Sequence, residues 1–196
     1  MQWQHSEVAH DFMKHPFKPF IIKNSTNMIV GSLPPEGSAF YYSNSPNNRM
    51  WDLLRLIQKD LDVLPKNGYK LSVEEKKEIL QELKLSMTDI ILEYERKENS
   101  SKDSDIIPLK YNNIADVIAD TSIVNLLFVY KSALEWFLDS LQQKTSMGKK
   151  EYGRICSVRL NEKNINCILL PNPLSRGKKG ETLEVKRAIY EKWIRT

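Results

Sequence analysis

Cysteine is scarce: the 196-residue chain holds only Cys156 and Cys167. Two thiolates cannot supply an iron–sulfur cluster or an all-cysteine zinc site. Histidine is nearly as rare, and His5, His10 and His15 all fall in the N-terminal arm. A Ser-His-Asp hydrolase and a histidine-rich metal site are therefore not expected, whereas capping or surface histidines are. Long apolar runs are missing too. The best of them, Ile123 to Tyr130, is strand length, far short of the roughly 18 residues a membrane span needs. Residues Met1 to Ser6 show neither the basic nor the apolar region of a secretory signal. Neither a P-loop nor a Gly-x-Gly-x-x-Gly dinucleotide fingerprint is present. The expectation is a cytoplasmic protein with no metal and no cofactor.

What is present is ordinary for a globular chain: 41% hydrophobic and 28% charged residues. That is too apolar for disorder and long enough for one domain with a sizeable core. The charge is uneven. The whole chain is +4, yet residues 144–196 carry 13 Lys/Arg against 5 Asp/Glu, a net +8, on a body of −4. Such a C-terminal quarter is either a positive face that meets a polyanion or a solvated lysine-rich surface.

Hydrophobic period gives an alternation of strands and helices. Met28–Val30, Thr88–Leu92 and Ile123–Tyr130 read as strands. Arg49–Leu61, Ser72–Leu83, Asn113–Ala119, Ser132–Leu141 and Thr182–Ile194 read as helices, the second opened by a Ser72/Glu75 capping box. Arg154–Leu160 and Ile165–Leu170 flank a polar turn and predict a hairpin. Glu95–Asp105 is polar enough to be a loop. The pattern predicts an α/β fold, a three-layer α/β/α sandwich on a central, mostly parallel four-stranded sheet, with residues 1–24 as an arm packed on it. Ligands in such sheets bind beyond the carboxyl ends of the strands, which draws attention to the loops after Val30, Leu92, Tyr130 and Leu170.

Three stretches stand out there. Gly31-Ser32-Leu33-Pro34-Pro35 follows the first strand; on its own it is a turn stiffened by proline. Tyr41-Tyr42-Ser43-Asn44-Ser45-Pro46-Asn47-Asn48-Arg49-Met50-Trp51 is either helix capping with surface aromatics or the lining of a site for a flat heterocycle. Leu170-Pro171-Asn172-Pro173-Leu174-Ser175-Arg176-Gly177-Lys178-Lys179 ends the last strand and gathers an amide, a hydroxyl and three cations.

Taken in order, these stretches resemble the uracil-DNA glycosylase superfamily, nearest its hypoxanthine-type and mismatch-specific branches. The likeness begins at His15-Pro16-Phe17-Lys18-Pro19 and runs through Ile29-Val30-Gly31-Ser32-Leu33-Pro34, Tyr41-Tyr42 and Pro46-Asn47-Asn48-Arg49-Met50-Trp51. It closes at Leu170-Pro171-Asn172-Pro173. Leu33 stands where many relatives carry an Asp or Asn that positions water. Asn48 matches the Asn thought to take over in the hypoxanthine-type branch. Ser45 and Met50 replace the usual His and Phe, and Tyr130-Lys131-Ser132 follows the third strand in place of the usual Asn or Gly.

The resemblance implies a monofunctional DNA glycosylase of base excision repair, acting as a monomer on DNA. It would flip a deaminated base, uracil or hypoxanthine, from the stack and hydrolyse its N-glycosidic bond. Asn48 would orient the water, and Asn172 would stabilise the departing base. Gly31, Ser32, Leu33, Tyr41 and Tyr42 would receive the base. Leu174, Ser175, Arg176, Lys178 and Lys179 would hold the DNA. Two alternatives stay open: a nucleic-acid-binding module of little or no activity on the same fold, and an interaction protein whose edge loops dock a partner.

Overall fold

The computed structural model describes residues 11–43, 45–64, 68–96, 105–143, 152–175 and 181–196. Eight strands and five helices are described there. They are β1 (Asp11–Lys14), β2 (Asn27–Gly31), α1 (Met50–Lys59), α2 (Val73–Glu82), β3 (Leu85–Asp89), β4 (Ile91–Arg96) and β5 (Ile106–Tyr111), then α3 (Ile114–Ile118), β6 (Asn125–Phe128), α4 (Lys131–Ser140), β7 (Gly153–Leu160), β8 (Lys163–Leu169) and α5 (Leu183–Ile194).

The main sheet has the order β3-β2-β6-β8-β7. The first four strands run parallel, and β7 pairs antiparallel with β8 at the edge. The expected four-stranded sheet is therefore a five-stranded mixed one. The reason lies in the hairpin turn. Asn161 and Glu162 both take left-handed φ, 43° and 66°, which suits the tight turn that folds a strand back beside its neighbour. Beside this sheet lies a three-stranded antiparallel sheet, β1-β4-β5, that the hydrophobic pattern does not announce.

Side-chain alternation along the strands builds two cores. Met28, Val30, Leu126, Phe128, Ile165, Cys167 and Leu169 face one cluster with Ile114 and Ile118 of α3 and Ala133, Leu134, Phe137 and Leu138 of α4. Ile29, Leu85, Met87, Leu127 and Ile168 face the other, with α1, α2 and α5 supplying Leu53, Leu54, Ile57, Ile79, Leu80, Tyr190 and Ile194. Helices on both faces make the layered sandwich, as the near-continuous apolar runs of parallel strands require.

Local chemistry fixes the helix ends. Ser72 Oγ accepts from the Glu75 amide while Glu75 Oε2 accepts from the Ser72 amide, the reciprocal box expected from sequence. Lys163 Nζ donates to the Ile118, Ala119 and Thr121 carbonyls at 2.7–2.8 Å. This cation closes the C-terminal end of α3, where the helix dipole favours positive charge.

Candidate active site at the carboxyl ends of the parallel strands

Strands β2, β3, β6 and β8 end on one edge, at Gly31, Asp89, Phe128 and Leu169. The chain lays β3 on one side of β2, then crosses to lay β6 and β8 on the other. This reversal of winding direction is where a crevice opens in such sheets. Two turns clasp each other at this edge. The Arg49 amide donates to the Pro173 carbonyl at 2.7 Å, the Ser175 amide donates to the Asn47 carbonyl at 2.9 Å, and Asn48 forms a β-bridge with Leu174. From α5, Lys186 Nζ donates to the Leu174 carbonyl at 2.8 Å and the Tyr190 hydroxyl donates to the Pro171 carbonyl at 2.7 Å. Burial pulls the Lys186 ammonium below the usual lysine range.

Tyr42 is held in an unusual backbone state, with φ at 52°. An aromatic residue rarely adopts this left-handed region. Its carbonyl is pinned by Trp51 Nε1 at 3.0 Å and by Lys76 Nζ at 3.2 Å, and the same indole reaches the Tyr41 carbonyl at 3.0 Å. Lys76 lies over the Trp51 ring, 5.0 Å from its centroid. These donors, from α1 and α2, fix the loop. The Tyr42 hydroxyl is buried and has no hydrogen-bond partner. Burial first, and the Asp89 charge second, push its pKa well up and keep it a proton donor.

That hydroxyl points at Gly31. A Cβ added to Gly31 would overlap Asp89 Oδ1 and lie 2.6 Å from Tyr42 Oη, so only glycine lets both groups approach the strand end. The side chain of Asp89 is 4% exposed, and its Oδ2 lies 3.0 Å from His15 Nε2. On its other side the ring is fixed by Phe17, whose carbonyl lies 2.8 Å and whose amide lies 3.1 Å from His15 Nδ1. Burial pushes the Asp89 carboxyl above the usual carboxylate range, while His15 and the Gly31 amide pull it down. Asn112 Nδ2 donates to Thr88 Oγ1 at 3.1 Å and to the Asp89 carbonyl at 3.2 Å, steadying the end of β3. Oδ2 is held by His15, and Oδ1 lies against the strand end at Gly31.

A solved structure from Methanosarcina acetivorans shares this architecture. It is a solution structure described as a "putative Uracil DNA glycosylase", and it superposes with a TM-score of 0.59 at 18% identity, over 94% of this chain and 98% of that one. The two chains share one fold. No family model matches this sequence, and no curated protein does.

The shared fold brings most of the residues expected from sequence to this edge. Asn48 and Asn172 sit on the two clasped turns. Asn48 Oδ1 accepts from the Met50 amide at 3.1 Å, so the side chain also caps α1. Asn172 Oδ1 is enclosed and bonded to nothing. Ser32 is buried, and Leu33 is half-buried against the core beneath α3 and α4. Tyr41 is wholly buried, its ring against Phe17 and Phe40 and its hydroxyl donating to the Lys18 carbonyl at 2.9 Å. Leu174 is 38% exposed and Ser175 is exposed at the rim. Arg176, Lys178 and Lys179 lie outside the described residues, as do His5 and His10.

His15 corrects the expectation of surface histidines, since its side chain is only 4% exposed and bound to a buried acid. Asp89 and His15 are the pair that sequence reasoning missed. The acid lay hidden inside the expected Thr88–Leu92 strand, which the structure splits: β3 ends at Asp89 and β4 starts at Ile91. The histidine had no signal, because 74 residues separate it from its partner. Among the described residues, no group of three His, Cys, Asp or Glu is placed to hold a metal, and no helix is long and apolar enough to cross a membrane.

Proposed function

We propose that this protein is a monofunctional DNA glycosylase of base excision repair, removing a deaminated base, uracil or hypoxanthine, to leave an abasic site. The observation that carries the reading is the unpartnered Tyr42 hydroxyl beside Asp89 Oδ1 over Gly31. Deaminated bases carry a carbonyl next to a ring N–H. A hydroxyl that donates and a carboxyl oxygen that accepts complement that edge. Adenine and cytosine present an amino group and a bare ring nitrogen instead, whose lone pair would face the carboxyl oxygen. A site built of buried hydrogen-bonding groups rejects the mismatched edge strongly, because its own polar atoms are left unpaired. The fold shared with the Methanosarcina protein adds support.

In the reaction, the glycosidic bond loosens, the sugar gains positive charge and the base departs as an anion. Donors aimed at that anion lower the barrier, each worth about 2.7–4 kcal/mol. Asn172 and the backbone amides near Ser32 are the donors in this reading. Asn48 keeps a second lone pair on Oδ1 beyond the bond to Met50, enough to accept from a water and orient it at the sugar carbon. Leu33 offers no such group. The rim of Leu174, Ser175, Arg176, Lys178 and Lys179 holds the DNA in this reading, and the protein works as a cytoplasmic monomer without cofactor.

The test is incubation with labelled oligonucleotides carrying uracil, hypoxanthine, xanthine or a G·T mismatch, followed by alkali. Cleavage at uracil or hypoxanthine is expected. Asn48→Ala and Asn172→Ala should each slow base release at least about tenfold with the fold intact; two variants at wild-type rate would remove these residues from the mechanism. One observation favours a second reading, a binding module without catalysis: Leu33 replaces the water-positioning acid, and the Asn48 amide is engaged as a cap. Tight binding with no abasic product would select it.

A further inference from the structure

We propose that Cys156 and Cys167 form a thiol-modification site, a dithiol that a low-molecular-weight disulfide oxidises to a cross-strand bond between β7 and β8. The two residues face each other in the antiparallel register, Cys156 opposite Cys167. A bulge makes them do so: Arg154 pairs with Ile168, and Cys156, not Ile155, pairs with the next residue along. The extra residue moves Cys156 into line with Cys167. Directly opposed side chains share one face of the sheet, with Cβ atoms about 4.5–5.5 Å apart. A disulfide asks for about 3.5–4.5 Å, a small inward shift of one strand. Both side chains pack against the same apolar cluster, and burial first, with the neighbouring Cys156 second, pushes the Cys167 pKa up.

Their exposures differ in a way that sets the order of events. Cys156 is half-buried on the edge strand, while Cys167 is fully buried in the core. The reagent therefore meets Cys156 first. Its thiolate attacks glutathione disulfide, forming a mixed disulfide and expelling one glutathione thiolate. The Cys167 thiol then gives up its proton as its sulfur attacks that of Cys156, and the second glutathione leaves as the thiol. The protein gives up two protons and two electrons, and glutathione disulfide takes them to become two thiols. The bond would fasten the edge strand β7 to β8, the strand that leads to Pro171 and Asn172 at the site edge.

The experiment exposes the folded full-length chain to glutathione disulfide and maps its peptides without reduction. A single peptide linking Cys156 to Cys167 is expected, with a mass loss of about 2 Da that dithiothreitol reverses. The oxidised protein should also melt at a higher temperature. Cys167→Ala should stop at a stable glutathione adduct on Cys156, whereas Cys156→Ser should leave Cys167 unmodified. Free thiols in the treated wild type, or a lasting adduct on Cys156 with Cys167 present, would overturn the proposal. The wild-type map decides it even if a variant fails to fold.

Discussion

Tyr42 carries two local costs at once. Its left-handed backbone is unfavourable by about 1–3 kcal/mol, and a buried hydroxyl without a partner costs about 1–3 kcal/mol. A residue kept for packing alone would be phenylalanine. Tyr42→Phe should therefore melt no lower than wild type, yet release uracil or hypoxanthine at least about tenfold more slowly. Equal rates for the two proteins would show that the hydroxyl does not meet the base. Asp89 yields a prediction in pH. Its folded pKa is raised, so its contribution to stability is whole below the ordinary aspartate value of about 4 and is lost as pH rises through the higher folded value. Asp89→Asn cannot ionise. The melting temperature of wild type relative to this variant should fall as pH rises above about 4; a gap that stays constant would mean that His15 and the Gly31 amide fully offset burial.

At the scale of elements, legibility followed the range of the interactions. The α2 capping box lies within four residues, and the β7–β8 hairpin within seventeen, so their signals sit side by side in the chain. The three-stranded sheet has no such signal. β5 alternates buried Ile106 with exposed Ile107 and Leu109 around Pro108, and β1 exists by pairing with β4 about eighty residues away. The predicted loop at Glu95–Asp105 is cut short at its start because β4 runs on to Arg96. Site residues divide the same way. Asn48 and Asn172 stand in turns that the sequence marks with proline and asparagine, while the His15–Asp89 contact is purely tertiary. Lys163 is a further tertiary device, tying the hairpin to the end of α3 through three carbonyls. Hydrogen bonds to a charged donor contribute about 1.5–3 kcal/mol each, shared here by one ammonium. Lys163→Met should destabilise by about 2 kcal/mol and lower the melting temperature by about 4–8 °C. Thermal unfolding checks this, and an unchanged midpoint would reduce the three bonds to a surface contact.

Over the whole molecule, charge separates by segment: residues 144–196 hold a net +8, and the rest of the chain is acidic. The fold gives this asymmetry a direction. β8 delivers the chain to the site edge, and the clasp between Asn47–Arg49 and Pro173–Ser175 fixes where the basic stretch departs. A rim cation that meets a backbone phosphate displaces a counterion, so affinity falls with salt by a power set by the number of such contacts. On duplex DNA each contact contributes about 0.9 to that slope. Replacing Lys178 and Lys179 together by alanine should weaken binding and flatten the salt dependence by up to about 1.8. Base release at saturating DNA should hold near the wild-type rate if both side chains act on phosphate alone. Binding titrations at several salt concentrations decide between the two readings of the basic quarter. A flatter slope places Lys178 and Lys179 against phosphate; an unchanged slope returns them to the solvated surface and leaves the DNA to be held by Leu174, Ser175 and the clasped turns alone.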